Sequence, residues 1–296
     1  MTVAVWIDTD SAVGVPGADI DDGYALLQAL GSRTVEVIGV STVYGNADLE
    51  VVHPIAEELL EVAGAYETPL HWGASEPGDL GHPTSASAAL AAALDEQPLT
   101  VVALGPLTNV ATALCGHPGL AHRVERLVMV AGRRPGHAPQ QPGADRLADP
   151  NFERDPAAVS GLLELPLPSV TLAGAEAAAS VTVLAAHVQR LAAGPPAARW
   201  LAERSADWLA SSRERFGVDG FHPCDTLAVG LVAAPGSVAT EPVTAAVVDT
   251  ATGPELRAAA GLPDGRGADR VTVAAAGFVE ELLAAILAVA PPETPI

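Results

Sequence analysis

Apolar, β-prone runs recur at residues 3–7, 35–42, 100–103, 126–130 and 168–172, and helical periodicity fills most of the intervals between them. That alternation predicts an α/β fold, a single open and mostly parallel sheet flanked by helices. Downstream, the pattern predicts a helical region over 195–216, a helix from about Asp225, strands near 238–248 and 270–273, and a final helix over 275–289. Two glycine- and proline-rich stretches, 78–83 and 133–143, follow sheet elements and are expected to line a site, as connecting loops often do. Nothing in the composition marks a break, so residues 1–296 are expected to form a single domain.

The first strand ends in Trp6-Ile7-Asp8-Thr9-Asp10, and the first helix opens with Asp21-Asp22-Gly23-Tyr24. Carboxylates therefore gather around a strand-to-helix crossover, where open α/β sheets bind ligands. Asp8 and Asp10 point to one side while the strand lasts, whereas Asp21 and Asp22 diverge by about 100° on the helix. One of that pair is thus free to grip a metal while its neighbour faces a substrate. Grouped carboxylates repel one another unless a cation neutralises them, and an all-oxygen set suits Ca²⁺ or Mg²⁺. Helix capping and turn formation remain open as an alternative, above all for Asp8, which suits bonds to backbone N–H groups.

Hydrophobic residues make up 49% of the chain, enough for a substantial core. No apolar run reaches the roughly 18 residues of a membrane helix, and the first residues do not read as a leader, so a cytoplasmic location is expected. Cys115 and Cys224 show no metal spacing and are expected to be free thiols. The net charge is −21 and the chain contains no lysine, which excludes mechanisms needing a catalytic lysine. Such a surface repels phosphate backbones, so no nucleic-acid or membrane partner is expected, and a neutral or cationic small ligand fits better.

Four segments occur in one order: the acidic cluster, Thr42-Val43-Tyr44-Gly45-Asn46, Gly105-Pro106-Leu107-Thr108-Asn109, and the stretch from Arg213-Glu214-Arg215-Phe216-Gly217 through Asp225-Thr226-Leu227-Ala228-Val229. Together they make the chain resemble the inosine–uridine-preferring nucleoside hydrolases over nearly its whole length. The resemblance implies a single α/β domain that binds one Ca²⁺ and hydrolyses the N-glycosidic bond of ribonucleosides, with a small-molecule nucleoside as partner and a homodimer or homotetramer as the expected assembly. Carried over, Asp10 would be both a calcium ligand and the general base for the water that the metal holds. Asp22, Asp225 and the backbone carbonyl of Thr108 would complete the ligands. Asp21 would take the ribose hydroxyls, helped by Asn46 and by Asn151, which lies in Asp149-Pro150-Asn151-Phe152-Glu153-Arg154-Asp155-Pro156. Breaking the C1′–N bond passes through an oxocarbenium-like sugar, which calls for an anion-rich cradle, a base for water and a means of neutralising the departing base.

The chain departs from the family pattern in several places. Ten residues, Ser11 to Ile20, separate Asp10 from Asp21, longer than the common family spacing, and are expected to reshape recognition at the mouth of the site. Asp149 stands where the family usually has glutamate, and Gly143 where an asparagine commonly serves the 5′ side. Cys224 precedes Asp225 where many relatives carry the histidine thought to protonate the leaving base, so Cys224 and nearby His222 are both candidates for that acid; a buried structural role is the alternative for each. His82 is a further candidate for base contact. Phe216 is the first choice for stacking on the base, with Trp208 and Phe221 behind it, and Trp72 is expected to pack under the site; His53, His117, His122, His137 and His187 carry no assignment. Two rival functions fit parts of the sequence. One is a Mg²⁺-dependent phosphatase of the haloacid dehalogenase type with Asp8 as nucleophile, which the missing lysine disfavours. The other is a calcium- and ribose-binding protein without turnover.

Overall fold

The computed structural model describes residues 2–134 and 148–289, so Gly143 and His137 lie outside the described residues, as does the side chain of Phe216. Among the described residues eleven strands run β1 Val3–Thr9, β2 Val35–Thr42, β3 Leu70–Trp72, β4 Leu99–Ala103, β5 Val124–Met129, β6 Val170–Leu172, β7 Val183–Leu184, β8 Gly220–Phe221, β9 Val238–Thr250, β10 Gly253–Ala259 and β11 Arg266–Ala274. Among them run helices α1 Asp21–Gly31, α2 Leu49–Val62, α3 Ser85–Glu96, α4 Thr108–Gly116, α5 Pro150–Arg154, α6 Pro156–Glu164, α7 Ala175–Ala178, α8 Ala185–Ala192, α9 Pro196–Arg204, α10 Ala206–Phe216, α11 Cys224–Ala233 and α12 Phe278–Ala288.

Nine strands form one sheet in the order β10-β9-β11-β6-β5-β4-β1-β2-β3, while β7 and β8 make a small separate ribbon. The pairings from β3 across to β11 are all parallel, and β9, β10 and β11 pair antiparallel at one edge. This is the open, mostly parallel sheet that the sequence predicts. Helices cover both faces, so β4 is buried at every position and reads as an unbroken apolar run. Two large clusters of buried side chains form the core, one centred on Ile7, Leu27, Leu201 and Leu283, the other on Trp6, Val101, Leu127 and Leu162.

Strand order places the site. From β1 the chain winds outward through β2 and β3, then crosses back to continue from β4 on the other side. The connections leaving β1 and β4 therefore part from each other, and a crevice opens at the carboxyl ends of these neighbouring strands.

The predicted helical region over 195–216 is two helices. Ser205 separates α9 from α10, and its hydroxyl lies 2.7 Å from the Leu201 carbonyl and 3.0 Å from the Tyr24 hydroxyl. Such back-bonding to the preceding turn bends or ends helices. Gly217 closes α10 with φ 68°, a left-handed cap that favours glycine. Trp72 does not pack under the site: it is 45% exposed and stacks on His53 with ring centroids 3.8 Å apart. Among the described residues no helix is long and apolar enough to cross a membrane.

Candidate active site

Asp10 follows the end of β1, and its side chain is held from the loop after β2. Asn46 donates its backbone N–H to Asp10 Oδ2 at 2.8 Å and its amide Nδ2 to Asp10 Oδ1 at 3.4 Å. The same amide reaches Asp22 Oδ2 at 3.1 Å. Asp22, in the first turn of α1, also accepts the Thr9 hydroxyl at 2.5 Å and the Asp10 backbone N–H at 3.2 Å. The divergence expected from the helical spacing does not part Asp21 from Asp22, since a carboxylate oxygen of each lies within 4.8 Å of the other. Asp21 accepts the backbone N–H of Asp225 on its Oδ2 at 3.0 Å. That bond ties the amino ends of α1 and α11 together, where helix dipoles favour negative charge.

One atom from each of Asp21, Asp22 and Asp225 lies within 4.8 Å of the others, a spacing that suits a metal ion. Burial comes first in pushing all three carboxyls, and that of Asp10, above the usual range; the charge of Asp22 then acts on Asp10, and that of Asp21 on Asp22 and Asp225. Asp22 rises to about 6. Buried together without a cation, these groups would have to hold protons. A hard divalent ion replaces the protons and removes the repulsion, so the donor set fits one.

Asp10, Asp21, Asn46, Asp149, Asn151, His222, Cys224 and Asp225 line a single cavity of about 260 Å³. Asn151 donates both hydrogens of Nδ2 to backbone carbonyls, Leu104 O at 2.5 Å and Val130 O at 3.0 Å, which leaves its Oδ1 as an acceptor. Asp149 Oδ2 accepts the Gly132 N–H at 2.9 Å, and burial raises its carboxyl to about 7. His222 Nδ1 lies 2.7 Å from the Val181 carbonyl, so Nδ1 carries the hydrogen and Nε2 is the free ring nitrogen. The Cys224 thiol points at the Ala173 carbonyl at 3.6 Å; burial, then the charge of Asp21, raises its pKa well above the ordinary value.

Several predicted residues fall elsewhere. Thr108 is not on the cavity wall. It is the first residue of α4, its hydroxyl donates to Asp155 Oδ2 at 2.6 Å, and a carbonyl in a first helical turn points along the axis into the helix. Leu104, in the turn between β4 and α4, does line the cavity, and its carbonyl accepts from Asn151 Nδ2. His82 is exposed on the loop after β3 and away from the cavity, so the expectation that 78–83 lines the site fails: Asp79 closes that loop on itself by accepting from Ser75 N (2.7 Å) and Oγ (2.9 Å). Phe221 is fully buried edge-on to Tyr24 at 5.0 Å, and Trp208 packs against the same core, so neither reaches the base pocket. Asp8 is buried too, accepting the Ser41 hydroxyl at 2.5 Å and the Asn109 amide at 2.8 Å, and it cannot serve as a phosphatase nucleophile. Cys115 and Cys224 are both free thiols.

Asp19 lines the cavity and was not singled out by the sequence reading. It closes the Ser11–Ile20 insertion, and the available signal was its place two residues before Asp21.

Residues 5–275 match the family described as inosine-uridine preferring nucleoside hydrolase. Uridine nucleosidase 1 of Arabidopsis thaliana is 32% identical over 154 residues, a match covering 43% of this chain and 44% of the plant protein, less than half the length of each. The pyrimidine-specific ribonucleoside hydrolase RihA of Klebsiella pneumoniae (strain 342) is 29% identical over 249 residues, covering 74% of this chain and 76% of that protein. The solved structure of a purine-preferring ribonucleoside hydrolase from Gardnerella vaginalis shares the fold, with TM-score 0.83, 20% identity, and coverage of 97% of this chain and 99% of that one. With the family match running through β1, the carboxylate cluster and β11, the chain belongs to the inosine-uridine preferring nucleoside hydrolase family.

Proposed function

We propose that this protein hydrolyses the N-glycosidic bond of a ribonucleoside to free base and ribose, using a site that holds one Ca²⁺. The observation that carries the reading is the convergence of Asp10, Asp21, Asp225, Asn46 and Asn151 on one cavity, with Asp22 directly behind it. They come from the ends of β1 and β2 and from the first turns of α1, α5 and α11. Sequence-distant groups so arranged form a cradle for a sugar that turns cationic as its C1′–N bond breaks.

Asp10, Asp22 and Asp225 would hold the ion, Asp22 and Asp225 belonging with Asp21 to the carboxylates that meet within 4.8 Å, and the Leu104 carbonyl would be a further oxygen in place of Thr108. The bound ion supplies positive charge that neutralises the carboxylates and acidifies water. Asp21, the Asn46 side chain and Asn151 Oδ1 then take the ribose hydroxyls. Asp10 is the general base: Asn46 fixes its orientation, and each of its oxygens keeps a lone pair for the proton of the attacking water. As the water oxygen bonds to C1′, the C1′–N electron pair leaves with the base, a step that a positioned base speeds by roughly 10²- to 10⁴-fold.

The departing base needs a proton, and of the two cavity-lining candidates His222 is better presented. Its Nδ1–H is spent on Val181, so it would act as the acid in its imidazolium form, giving the proton on Nε2 to the departing base and returning to the neutral ring. The Cys224 hydrogen is directed at Ala173, in surroundings that keep the sulfur protonated. Asp149, beside Gly132, would meet the 5′ side of the sugar.

A reducing-sugar assay over purine and pyrimidine ribonucleosides, with Ca²⁺ and with chelator, tests the reading. Calcium-dependent ribose release supports it. Ligand-dependent stabilisation without ribose would instead indicate binding without turnover, and phosphate release from a phosphomonoester would revive the phosphatase.

A further inference from the structure

We propose that Arg204, on α9 and outside the cavity wall, is a positioning residue whose aliphatic stem holds the Ser11–Ile20 insertion in the arch that brings Asp19 to the cavity, and so sets substrate binding; this rests on the hydrolase reading above. The insertion leaves Asp10 through the core. Ser11, Ala12 and Val13 are buried, and Val13 fills the notch left by the missing side chain of Gly23, where a Cβ would meet Val13 Cγ2 at 2.5 Å, Leu201 Cδ1 at 3.2 Å and Leu59 Cδ1 at 3.6 Å. Helices α1, α2 and α9 thus meet the insertion at one point. At Gly14 the chain turns outward with φ 87°, a left-handed backbone that favours glycine, and a Cβ there would lie 3.1 Å from Arg204 Cγ, 3.3 Å from its Cβ and 3.4 Å from its Cδ. The arch turns directly on the Arg204 stem.

Arg204 is itself held at its head. Its Nη2 lies 2.6 Å from Glu58 Oε1 on α2, the oxygen that also accepts the Trp200 indole N–H at 2.7 Å, and its guanidinium sits 4.3 Å above the Trp200 ring. Trp200 and Leu201 precede Arg204 by four and three residues, so both neighbour it on α9. An ion pair and an aromatic face acting together fix the guanidinium, and the methylenes between head and helix become a strut. Beyond it Pro16 and Gly17 are exposed, and a Cβ at Gly17 would meet nothing within 4 Å. Two turns, Val15 N–H to Ala12 O at 3.0 Å and Ala18 N–H to Val15 O at 3.1 Å, carry the chain back to Asp19 on the cavity wall and to buried Ile20. Asp10 is secured separately by Asn46, so losing the strut acts on binding at the wall rather than on the chemical step.

Amide hydrogen exchange and steady-state kinetics on the same variants, in Ca²⁺, test this. Arg204→Ala should speed exchange at Val15 and Ala18 by at least about tenfold, the mark of a locally loosened segment. It should also raise KM for a ribonucleoside about tenfold with kcat within about twofold of the wild type, the pattern of lost ground-state binding. Arg204→Met, which keeps an unbranched stem and lays its sulfur against Trp200, should bring both readouts back to within about threefold of the wild type. Gly14→Ala drives a Cβ against the stem; it should reproduce the KM rise, and it carries the test if Arg204→Ala does not fold. Unchanged exchange in folded Arg204→Ala, faster exchange with unchanged KM, or an Arg204→Met protein as defective as Arg204→Ala overturns the proposal. If the wild type hydrolyses no ribonucleoside, the hydrolase reading has failed, and the exchange rates together with calorimetric ribonucleoside affinities decide the role of Arg204 by themselves.

Discussion

A Cβ at position 45 would lie 1.9 Å from Asp10 Oδ2, so Gly45 and the proposed base are in direct backbone-to-carboxylate contact. Gly105 presses from the other strand end, with a hypothetical Cβ 3.0 Å from Asp10 Cβ and Cγ. Asp10 is thus held between two glycines from the loops after β2 and β4, and no larger residue fits either place without moving it.

Gly45→Ala is therefore expected to remove hydrolysis by displacing Asp10, with a loss of at least about 10²-fold in kcat, the smaller end of what a positioned base supplies. The check is steady-state kinetics alongside circular dichroism. A folded Gly45→Ala protein with wild-type kcat would show that the Gly45 contact does not position Asp10.

The leaving-group acid is separable by choice of substrate. His222→Ala should slow natural nucleosides, whose base must be protonated, far more than p-nitrophenyl riboside, whose leaving group departs unaided. Cys224→Ala should slow both alike while lowering the melting temperature by a small-cavity amount. If the selective defect appears in Cys224→Ala instead, the thiol is the acid and the assignment of His222 is wrong.

Asp149 gives a pH signature of stability. Its carboxyl titrates at about 7 in the fold against 3.8 for an ordinary aspartate, so folding binds a proton between these values. Its contribution is full below pH 3.8 and is lost as pH rises through about 7. Relative to Asp149→Asn, the wild type should lose stability across this window and run parallel above it. Melting curves of the two proteins across that range measure the difference; a constant gap would place an ionised carboxylate at 149.

Sugar selectivity follows from the diol ligands. If Asp21, Asn46 and Asn151 hold the hydroxyls, 2′-deoxyribonucleosides should lose at least about 10²-fold, because buried polar groups built for a hydroxyl would stay unpaired. Equal rates on ribo- and deoxyribonucleosides would contradict these assignments.

What the sequence disclosed follows physical lines. Parallel strands buried on both faces are unbroken apolar runs, so β2 is predicted to the residue and β1, β4 and β5 nearly so. β10 has no such signal: Gly253-Pro254-Glu255 opens an antiparallel edge strand, and Leu256 and Ala258 alone commit fully to the core. Carboxylates were legible because their spacing around one crossover is chemistry in itself. Backbone groups were not: the Thr108 carbonyl was expected as a ligand, but the direction of a carbonyl depends on where α4 starts, and α4 starts at Thr108. Asp19 reaches the cavity through two turns and the anchoring of Val13 and Gly14, none of which residue types alone reveal.

The most direct test of the central claim is to follow a ribonucleoside by proton NMR in phosphate-free buffer with saturating Ca²⁺, comparing wild type with Asp10→Asn. The wild type is expected to give free base and free ribose in equal amounts, and Asp10→Asn, which preserves the side-chain shape but cannot take the proton, should fall by at least about 10²-fold. Ribose release by Asp10→Asn at the wild-type rate, or no ribose from any ribonucleoside with the wild type, would contradict the account.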